Sequence, residues 1–536
     1  MKSTPNLNID ALIRKGYFPD VLPPQFKTSK LADILPENLK SICQLKNKGP
    51  YKKEFCSSKC CLHSIPKLKV QRRVMSIPNP FHQIILCNYL EIFWDDINEH
   101  FAKSQISLST PIPDPESKRS FKRNISFRER TIKGILESND ARYCLCTDIS
   151  RFYPTIYTHT IPWALHGKSV SKQNRHCKKE YYGNCIDKSV RNTKDQQTSG
   201  IPVGPDSSHI ISEIICTQID IQLEELLNKN LKGFRCVDDI CLFFRERSEA
   251  EHALHELHRI LHEYELEINP TKTKIVELPR KLQKEWPSEI RLYEFRISHN
   301  KGDNHSKKQE TDLIDYFSIA FQKAIQHPND SILKYSLKRI NDQEILPENW
   351  KLYESLILKS IVAEPMCIPD AIRILHTYSK KPGYQLDADK ISATVSEMLL
   401  HHCKFSHGYE LAWILWLAKV FNITIKNQNV LDSLSKCNDV IVVLTVLDLR
   451  KIGLIKGNLD TTEWINFMKK DELYSDHWLI AYEAYVNDWL NPEDNGQYIK
   501  DDSFFKILYE NNVRFYDSSI NKNFYETFIS SSVSEY

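Results

Sequence analysis

Phe234-Arg235-Cys236-Val237-Asp238-Asp239-Ile240-Cys241-Leu242-Phe243-Phe244 is an apolar run interrupted by two adjacent carboxylates. Aromatic and β-branched residues on both sides of a short polar break read as two strands of a hairpin, with Asp238 and Asp239 as its turn. Alone, an Asp-Asp pair is most often a turn or a helix cap. Upstream, Arg142-Tyr143-Cys144-Leu145-Cys146-Thr147-Asp148 reads as a further strand ending in a carboxylate. Strand ends and tight turns can bring side chains to one edge of a sheet, where oxygen ligands gather hard divalent cations such as Mg²⁺. Two such ions about 4 Å apart stabilise both the entering and the leaving oxygen of an in-line phosphoryl displacement. Between the two segments, Ile211, Ile214, Ile215, Ile219, Leu223, Leu226 and Leu227 have helical spacing. The expected core is therefore α+β, with a hairpin at its centre.

Working outward, Gln196-Gln197-Thr198-Ser199-Gly200-Ile201-Pro202-Val203-Gly204-Pro205 is a Gly/Pro loop leading into that helix. Such a loop lets a base or a primer end approach the backbone closely. Lys67, Lys69, Arg72 and Arg73 precede Ser76-Ile77-Pro78-Asn79-Pro80 and supply cations for a triphosphate. Taken in order, these elements resemble the reverse transcriptases. The matching residues are Arg72-Arg73-Val74-Met75-Ser76-Ile77-Pro78, Asp148-Ile149-Ser150-Arg151-Phe152-Tyr153-Pro154, Gly200-Ile201-Pro202-Val203-Gly204, Val237-Asp238-Asp239 and Leu266-Glu267-Ile268-Asn269-Pro270-Thr271-Lys272-Thr273-Lys274.

The resemblance implies a nucleotidyltransferase of the RNA-directed DNA polymerase family. Position by position it makes Asp148 and Asp238 the metal ligands, with Asp239 a nearby carboxylate and the Ile149 backbone carbonyl a further ligand. It implies two Mg²⁺ ions, with Mn²⁺ as the substitute. Tyr153 becomes a steric gate against a ribonucleotide 2′-OH, Gly200 and Pro202 line the nucleotide, and Arg73 with Lys67 or Lys69 holds the triphosphate. An arginine suits that task because its planar fork matches phosphate oxygens. Lys272 is a candidate acid for the departing pyrophosphate; the alternative is a surface lysine. Cys236 stands where the family usually has Tyr, and Val203 where many members have Gln, which bears on template handling rather than on the metals.

Gly16-Tyr17-Phe18-Pro19, Leu22-Pro23-Pro24-Gln25-Phe26, Phe152-Tyr153-Pro154-Thr155-Ile156-Tyr157-Thr158-His159 and Gly200-Ile201-Pro202-Val203-Gly204-Pro205-Asp206-Ser207-Ser208 narrow the resemblance to the bacterial abortive-infection and defence-associated reverse transcriptases. It implies an antiphage DNA polymerase using dNTPs, template-independent and protein-primed in some relatives and copying a non-coding RNA in others. It also implies a trimer or hexamer, operon partner proteins and a bacterial cytoplasmic location. The rival from another class is a catalytically silent scaffold that senses phage nucleic acid or protein. In this subgroup a helical-repeat domain replaces the thumb, and the sequence fits that plan. Residues 1–63 read as an N-terminal extension, 64–299 as fingers and palm, and 310–536 as an α-helical, repeat-like domain.

The bulk properties agree. A chain of 536 residues, 41% hydrophobic and 26% charged, is globular. No stretch is long and apolar enough to span a membrane, and residues 1–5 lack the apolar core of a signal peptide. The net charge of +3 averages two unlike parts. Residues 1–200 carry 33 Lys and Arg against 18 Asp and Glu, and residues 201–536 carry 39 against 51. The basic excess, with Arg119, Lys122, Arg123, Arg128, Arg130, Lys178 and Lys179, is an expected footprint for phosphates.

Fifteen cysteines without a regular framework are expected to be free thiols. Cys56, Cys60, Cys61 and His63 lack the paired spacing of a zinc finger, and Cys177 and Cys185 with His176 are the one candidate second pair. His252, His255, His258 and His262 alternate with Leu254, Leu257, Ile260 and Leu261, as on the polar side of a helix packed on the palm. Trp413, Trp416, Trp478 and Trp489 sit in Leu-rich helical surroundings and read as core. Tyr509, Tyr516, Tyr525 and Tyr536 near the C-terminal end read as packing tyrosines, with hydroxyls for protein priming as the alternative.

Overall fold

A computed structural model describes residues 6–45, 57–67, 71–123, 127–227, 231–280, 284–296, 305–341 and 343–521. Lys69, Cys56, Tyr525 and Tyr536 lie outside the described residues.

Strand β1 (Cys61–Pro66) pairs antiparallel with β2 (Arg72–Ile77), from Cys61 opposite Ile77 to Pro66 opposite Arg72. The boundary expected after residue 63 thus falls inside β1. Helix α1 (Pro80–Ile92) follows, opened by Pro80 in its first turn and by Asn79, whose side chain accepts the Phe81 N–H at 3.0 Å. After the short ribbon of β3 (Pro111–Pro113) and β4 (Phe121–Arg123) comes α2 (Phe127–Glu137).

The palm is one antiparallel sheet in the order β6-β7-β5-β8, built from β5 (Tyr143–Asp148), β6 (Gly233–Cys236), β7 (Asp239–Phe244) and β8 (Lys274–Glu277). Helix α3 (Asp206–Leu227) lies between β5 and β6 in sequence, and α4 (Arg247–Glu263) between β7 and β8. On the back of the sheet, Leu145, Ile240, Leu242 and Phe244 join the core that α4 supplies with Ala250, Ala253, Leu257, Ile260 and Leu261. The opposite face has its own small cluster of Leu108, Cys144, Phe234, Cys241 and Phe243. Burial on both faces explains why β7 reads as an almost unbroken apolar run instead of alternating. His252, His255, His258 and His262 are exposed on the outer side of α4, as their spacing predicts.

From residue 305 on, every regular element among the described residues is helical. They include α5 (His305–Gln326), α6 (Ala388–Cys403), α7 (Gly408–Val420), α8 (Val440–Lys451) and α9 (Trp478–Val486). Helix α7 packs on both α6 and α8, and α8 packs on α9. All thirteen residues of α7 are buried, its mostly apolar surface packed all round and its Glu410 and Lys419 each held in an ion pair. Trp413, Trp416 and Trp478 are core residues. Among the described residues no helix is long and apolar enough to cross a membrane.

The N-terminal segment is a strap joining the two parts. Trp413 Nε1 donates to the Val21 carbonyl at 2.9 Å, the Lys27 N–H to Phe515 O at 2.9 Å and the Asp517 N–H to Gln25 O at 2.8 Å. One hydrophobic core runs from Leu7 to Ile520 without a break between fingers, palm and helical region.

Candidate active site

Asp148 is the last residue of β5, and its ladder partner is Asp239, the first residue of β7. Cys236 pairs with Asp239, so the two-residue tip of the hairpin is Val237-Asp238, one position earlier than the expected Asp-Asp turn. Pairing opposite Asp148 draws Asp239 into the sheet. Val237 adopts φ +58°, a conformation that a β-branched residue rarely takes. It is clamped there: its N–H donates to Ser109 Oγ at 2.9 Å, and its carbonyl accepts Arg235 Nη1 at 3.2 Å.

Arg235 is fully buried beneath the tip. Its guanidinium spans two carboxylates of α3, donating to Glu213 Oε1 and Asp220 Oδ2 at 2.9 and 2.8 Å. Ser107 and Ser109 donate to Glu213 at 2.5 and 2.9 Å, and Ser104 to Asp220 at 2.6 Å. Burial would raise the Glu213 pKa, but the Arg235 charge overcomes it and holds the group at about 2. At Asp220 burial prevails over Arg235, and the pKa is raised. The sequence reading missed this support; its signal is a charge inside an apolar run, Glu213 within residues 210–216 and Arg235 within a strand.

Four charged groups meet at the sheet edge. Lys272 Nζ is hydrogen-bonded to Asp148 Oδ2 and lies 4.0 Å from Asp239 Oδ1, while Arg130 Nη1 lies 3.8 Å from Asp239 Oδ2. Asp148 is buried, and its Oδ1 has no hydrogen-bond partner among the described residues. Burial raises the Asp238 pKa, and the charges of Asp239 and Asp148 add to that while Lys272 opposes it. For Lys272, burial disfavours the charged amine, yet the Asp148 hydrogen bond and the carboxylate charges raise its pKa overall. An orphaned carboxylate oxygen and crowded negative charge, strong enough to draw a lysine ammonium onto it, are what hard oxygen donors offer a divalent cation.

The segment after the hairpin is brought to the same place. The Asn269 N–H donates to the Asp148 carbonyl at 2.8 Å and the Ser150 N–H to Glu267 O at 2.8 Å. The Ile149 N–H donates to Asp238 O at 3.3 Å, which sets the Ile149 peptide against the hairpin tip.

Tyr153 is half-buried, with its hydroxyl 3.2 Å from Ser212 Oγ, and its carbonyl accepts the Ile201 N–H at 2.9 Å. Gly200 has φ +76°, and a Cβ there would stand 2.7 Å from the Pro154 carbonyl oxygen, so the loop can close on Tyr153 only with glycine. Pro202 is buried beside it, and the Val203 carbonyl accepts the Ser76 N–H of β2 at 2.8 Å. The structure thus gathers Tyr153, Gly200 and Pro202 against the fingers. Arg73 and Lys67 are exposed on the β1–β2 hairpin.

Other expectations need correction. Arg72 points the other way and forms a two-pronged ion pair with Glu410 of α7, both contacts at 2.7 Å, because strand alternation puts it on the opposite face from Arg73. Arg119 is bound into the fold: it pairs with Asp206 at 2.6 Å and donates to the carbonyls of Phe18 at 2.7 Å and Gly204 at 3.3 Å. Cys177 and Cys185 form a disulfide, so these two are not free thiols. Cys60 donates to the Thr193 carbonyl, Cys61 is buried in β1, and His63 pairs with Asp439 at 2.9 Å, so they do not converge on one ligand point. Tyr516, by contrast, packs in the core as its sequence reading expects, with its hydroxyl donating to Asp448, and is not available as a priming hydroxyl.

Residues 71–312 match the family model for reverse transcriptase (RNA-dependent DNA polymerase). The chain carries a reverse transcriptase domain. That domain is the fold of an RNA-directed DNA polymerase, a nucleotidyltransferase. Among solved structures, telomerase from Candida albicans in complex with a TWJ fragment of telomeric RNA is similar at 13% identity and TM-score 0.30, over 66% of this chain and 68% of that one. Apo telomerase from Candida tropicalis is similar at 11% identity and TM-score 0.32, over 76% of each chain. No curated protein matches the chain.

Proposed function

We propose that the reverse transcriptase domain is an active, Mg²⁺-dependent DNA polymerase with Asp148, Asp238 and Asp239 as its catalytic carboxylates. The observation that carries this reading is the arrangement at the sheet edge: Asp148 opposite Asp239, Asp238 at a clamped tip, and a buried Asp148 oxygen without a partner among the described residues. A scaffold has no need of clustered carboxylates, one of them with its pKa raised by burial and then by its neighbours' charge.

Asp148, Asp238 and the Ile149 carbonyl would hold two divalent ions, which when bound supply charge neutralisation for the α-phosphate and lower the pKa of the attacking hydroxyl. The remaining work falls to the protein. Arg73 with Lys67 or Lys69 binds the triphosphate, Tyr153 lies under the sugar and excludes a 2′-OH, and Gly200 and Pro202 shape the floor. Lys272, already charged beside Asp148, stands ready to donate a proton to the leaving pyrophosphate. Positioning and charge neutralisation make up most of what such a transfer needs.

The narrower reading is an antiphage defence enzyme of the abortive-infection kind, synthesising DNA without a template from a protein hydroxyl. Its support is that two motifs carrying that resemblance meet physically. The Asp206 N–H donates to Gly16 O at 2.7 Å, and Arg119 ties both segments together. The test is incorporation of each labelled dNTP and rNTP with Mg²⁺, without and then with added RNA, beside Asp238→Ala, followed by protease digestion of the product. Untemplated, protein-linked DNA that is absent in the variant is the expected result. Synthesis only on added or copurifying RNA moves the protein to the templated class. No incorporation, with wild type and variant equally protective in cells, leaves the scaffold.

A further inference from the structure

The front face of the palm sheet holds a cluster the polymerase reaction does not use. Cys144 and Cys146 alternate on β5, and Cys241 faces Cys146 across the ladder. Alternate residues of a strand stand about 6.7 Å apart along it. The sulfurs nevertheless converge: Cys144 to Cys146 is 3.5 Å, Cys146 to Cys241 is 3.5 Å, and all three lie within 4.8 Å of one another. Apolar packing does not require that convergence. Tetrahedral Zn²⁺ with Zn–S bonds of about 2.3 Å does, because it sets its sulfurs about 3.8 Å apart.

Arg280, which also lines the adjoining cavity, flanks the group, donating Nη1–H to Cys146 Sγ at 2.7 Å and Nη2–H to Cys241 Sγ at 3.7 Å. Zn²⁺ with three thiolates carries one net negative charge, which the guanidinium neutralises while its N–H groups orient the sulfurs. A cavity of about 820 Å³, lined by Cys241, Phe234, Phe243, Arg280 and Trp286, adjoins the cluster and offers an entry path.

We propose that Cys144, Cys146 and Cys241 form a three-thiolate Zn²⁺ site with Arg280 as its counter-charge and its fourth position open to this cavity. Asp148 is two residues beyond Cys146, and Asp239 two before Cys241, so a soft sulfur site and a hard oxygen site share the same pair of strands. Ligand softness sorts the metals: sulfur selects zinc, and carboxylate oxygen keeps magnesium.

The experiment uses the purified full-length chain. Zinc is measured in the protein as isolated; the protein is then stripped and titrated with Co²⁺ in excess Mg²⁺, which fills the carboxylates. About one equivalent of Co²⁺ showing thiolate charge-transfer absorption and the visible bands of a tetrahedral centre is expected. It is expected to vanish in Cys146→Ser and Cys241→Ser and to persist in Cys236→Ser and Asp238→Asn. No charge-transfer absorption in wild type, or absorption that survives both serine variants, overturns the proposal. Should those variants misfold, alkylation of the wild type decides. Zinc is expected to protect Cys146 and Cys241 from iodoacetamide, and equal labelling with and without zinc refutes the site.

Discussion

In the proposed active site, Lys272 and a divalent cation would compete for the same oxygen. Its ammonium is bonded to Asp148 Oδ2 and lies 4.0 Å from Asp239 Oδ1, so an entering ion must displace it or share those carboxylates. Lys272→Met therefore separates two effects. Removing the competing charge is expected to lower the Mg²⁺ concentration for half-maximal incorporation, whereas removing the proton donor lowers the maximal rate by about 10²-fold or more. A Mg²⁺ titration of both proteins reads the two at once. A surface lysine with neither role leaves both numbers unchanged. At this scale much of the site was legible: Asp148, Asp238, Asp239 and Lys272 stand together as their motifs imply, because strand ends and a hairpin tip put them at one edge. Arg72 was misread, because a run of cations in sequence does not say which alternates face the cleft.

The hairpin that carries Asp238 is an element propped from behind. Arg235 joins the strained Val237 to Glu213 and Asp220 of α3, and all three charged groups are almost wholly buried. Breaking such a set by removing one member leaves charge uncompensated in the interior, at a cost of roughly 3–5 kcal/mol. Arg235→Met should cause that loss in a urea unfolding curve, and adding Glu213→Gln and Asp220→Asn to it should recover a large part. Recovery of stability without recovery of activity would separate the fold from the aim of the tip. Equal stability of Arg235→Met and wild type would show that the guanidinium carries no such load. This prop escaped the sequence reading because a strand is recognised by its apolar residues, and a single arginine within one looks like an interruption.

Helix α9 has its own buried acid. Glu483 accepts the Phe515 N–H at 2.7 Å, the Tyr516 N–H at 3.2 Å and Asn487 Nδ2 at 2.7 Å, and burial raises its pKa to about 7. The folded state thus binds this proton more tightly than the unfolded chain, so the contribution is full below the unfolded pKa of about 4.3 and is lost as pH rises through about 7. The wild type should therefore lose on the order of 3 kcal/mol from this group between those limits, and Glu483→Gln should flatten that part of the stability profile. Parallel profiles for the two proteins would count against it.

On the scale of the whole molecule, the fingers and the helical region are one body rather than two linked ones. The core is continuous, Trp478 Nε1 donates to the Ile77 carbonyl at 3.3 Å, and Asn79 Nδ2 donates to Leu473 O at 2.8 Å. The division expected near residue 300 describes a change of secondary structure and not a break in packing, which periodicity alone cannot show. The Arg72–Glu410 pair is one of the ion pairs across this junction, beside His63–Asp439, and it is unsymmetrical. Glu410 is 3% exposed and Arg72 25%, and Arg72 is also held by Ser64 Oγ at 2.6 Å. Burial acts to raise the Glu410 pKa, but Arg72 lowers it. Arg72→Ala strands a buried carboxylate, whereas Glu410→Ala leaves a guanidinium that keeps Ser64 and reaches water. The first should destabilise by about 3 kcal/mol or more, the second by clearly less, and the double variant should be no worse than Arg72→Ala alone. Because Arg73 is the next residue on β2, both single variants should also raise the KM for dNTP without changing which nucleotide is preferred. Equal losses from the two single changes, adding fully in the double, would mean that the pair is only a surface contact and that the helical region does not hold the fingers in register with the palm.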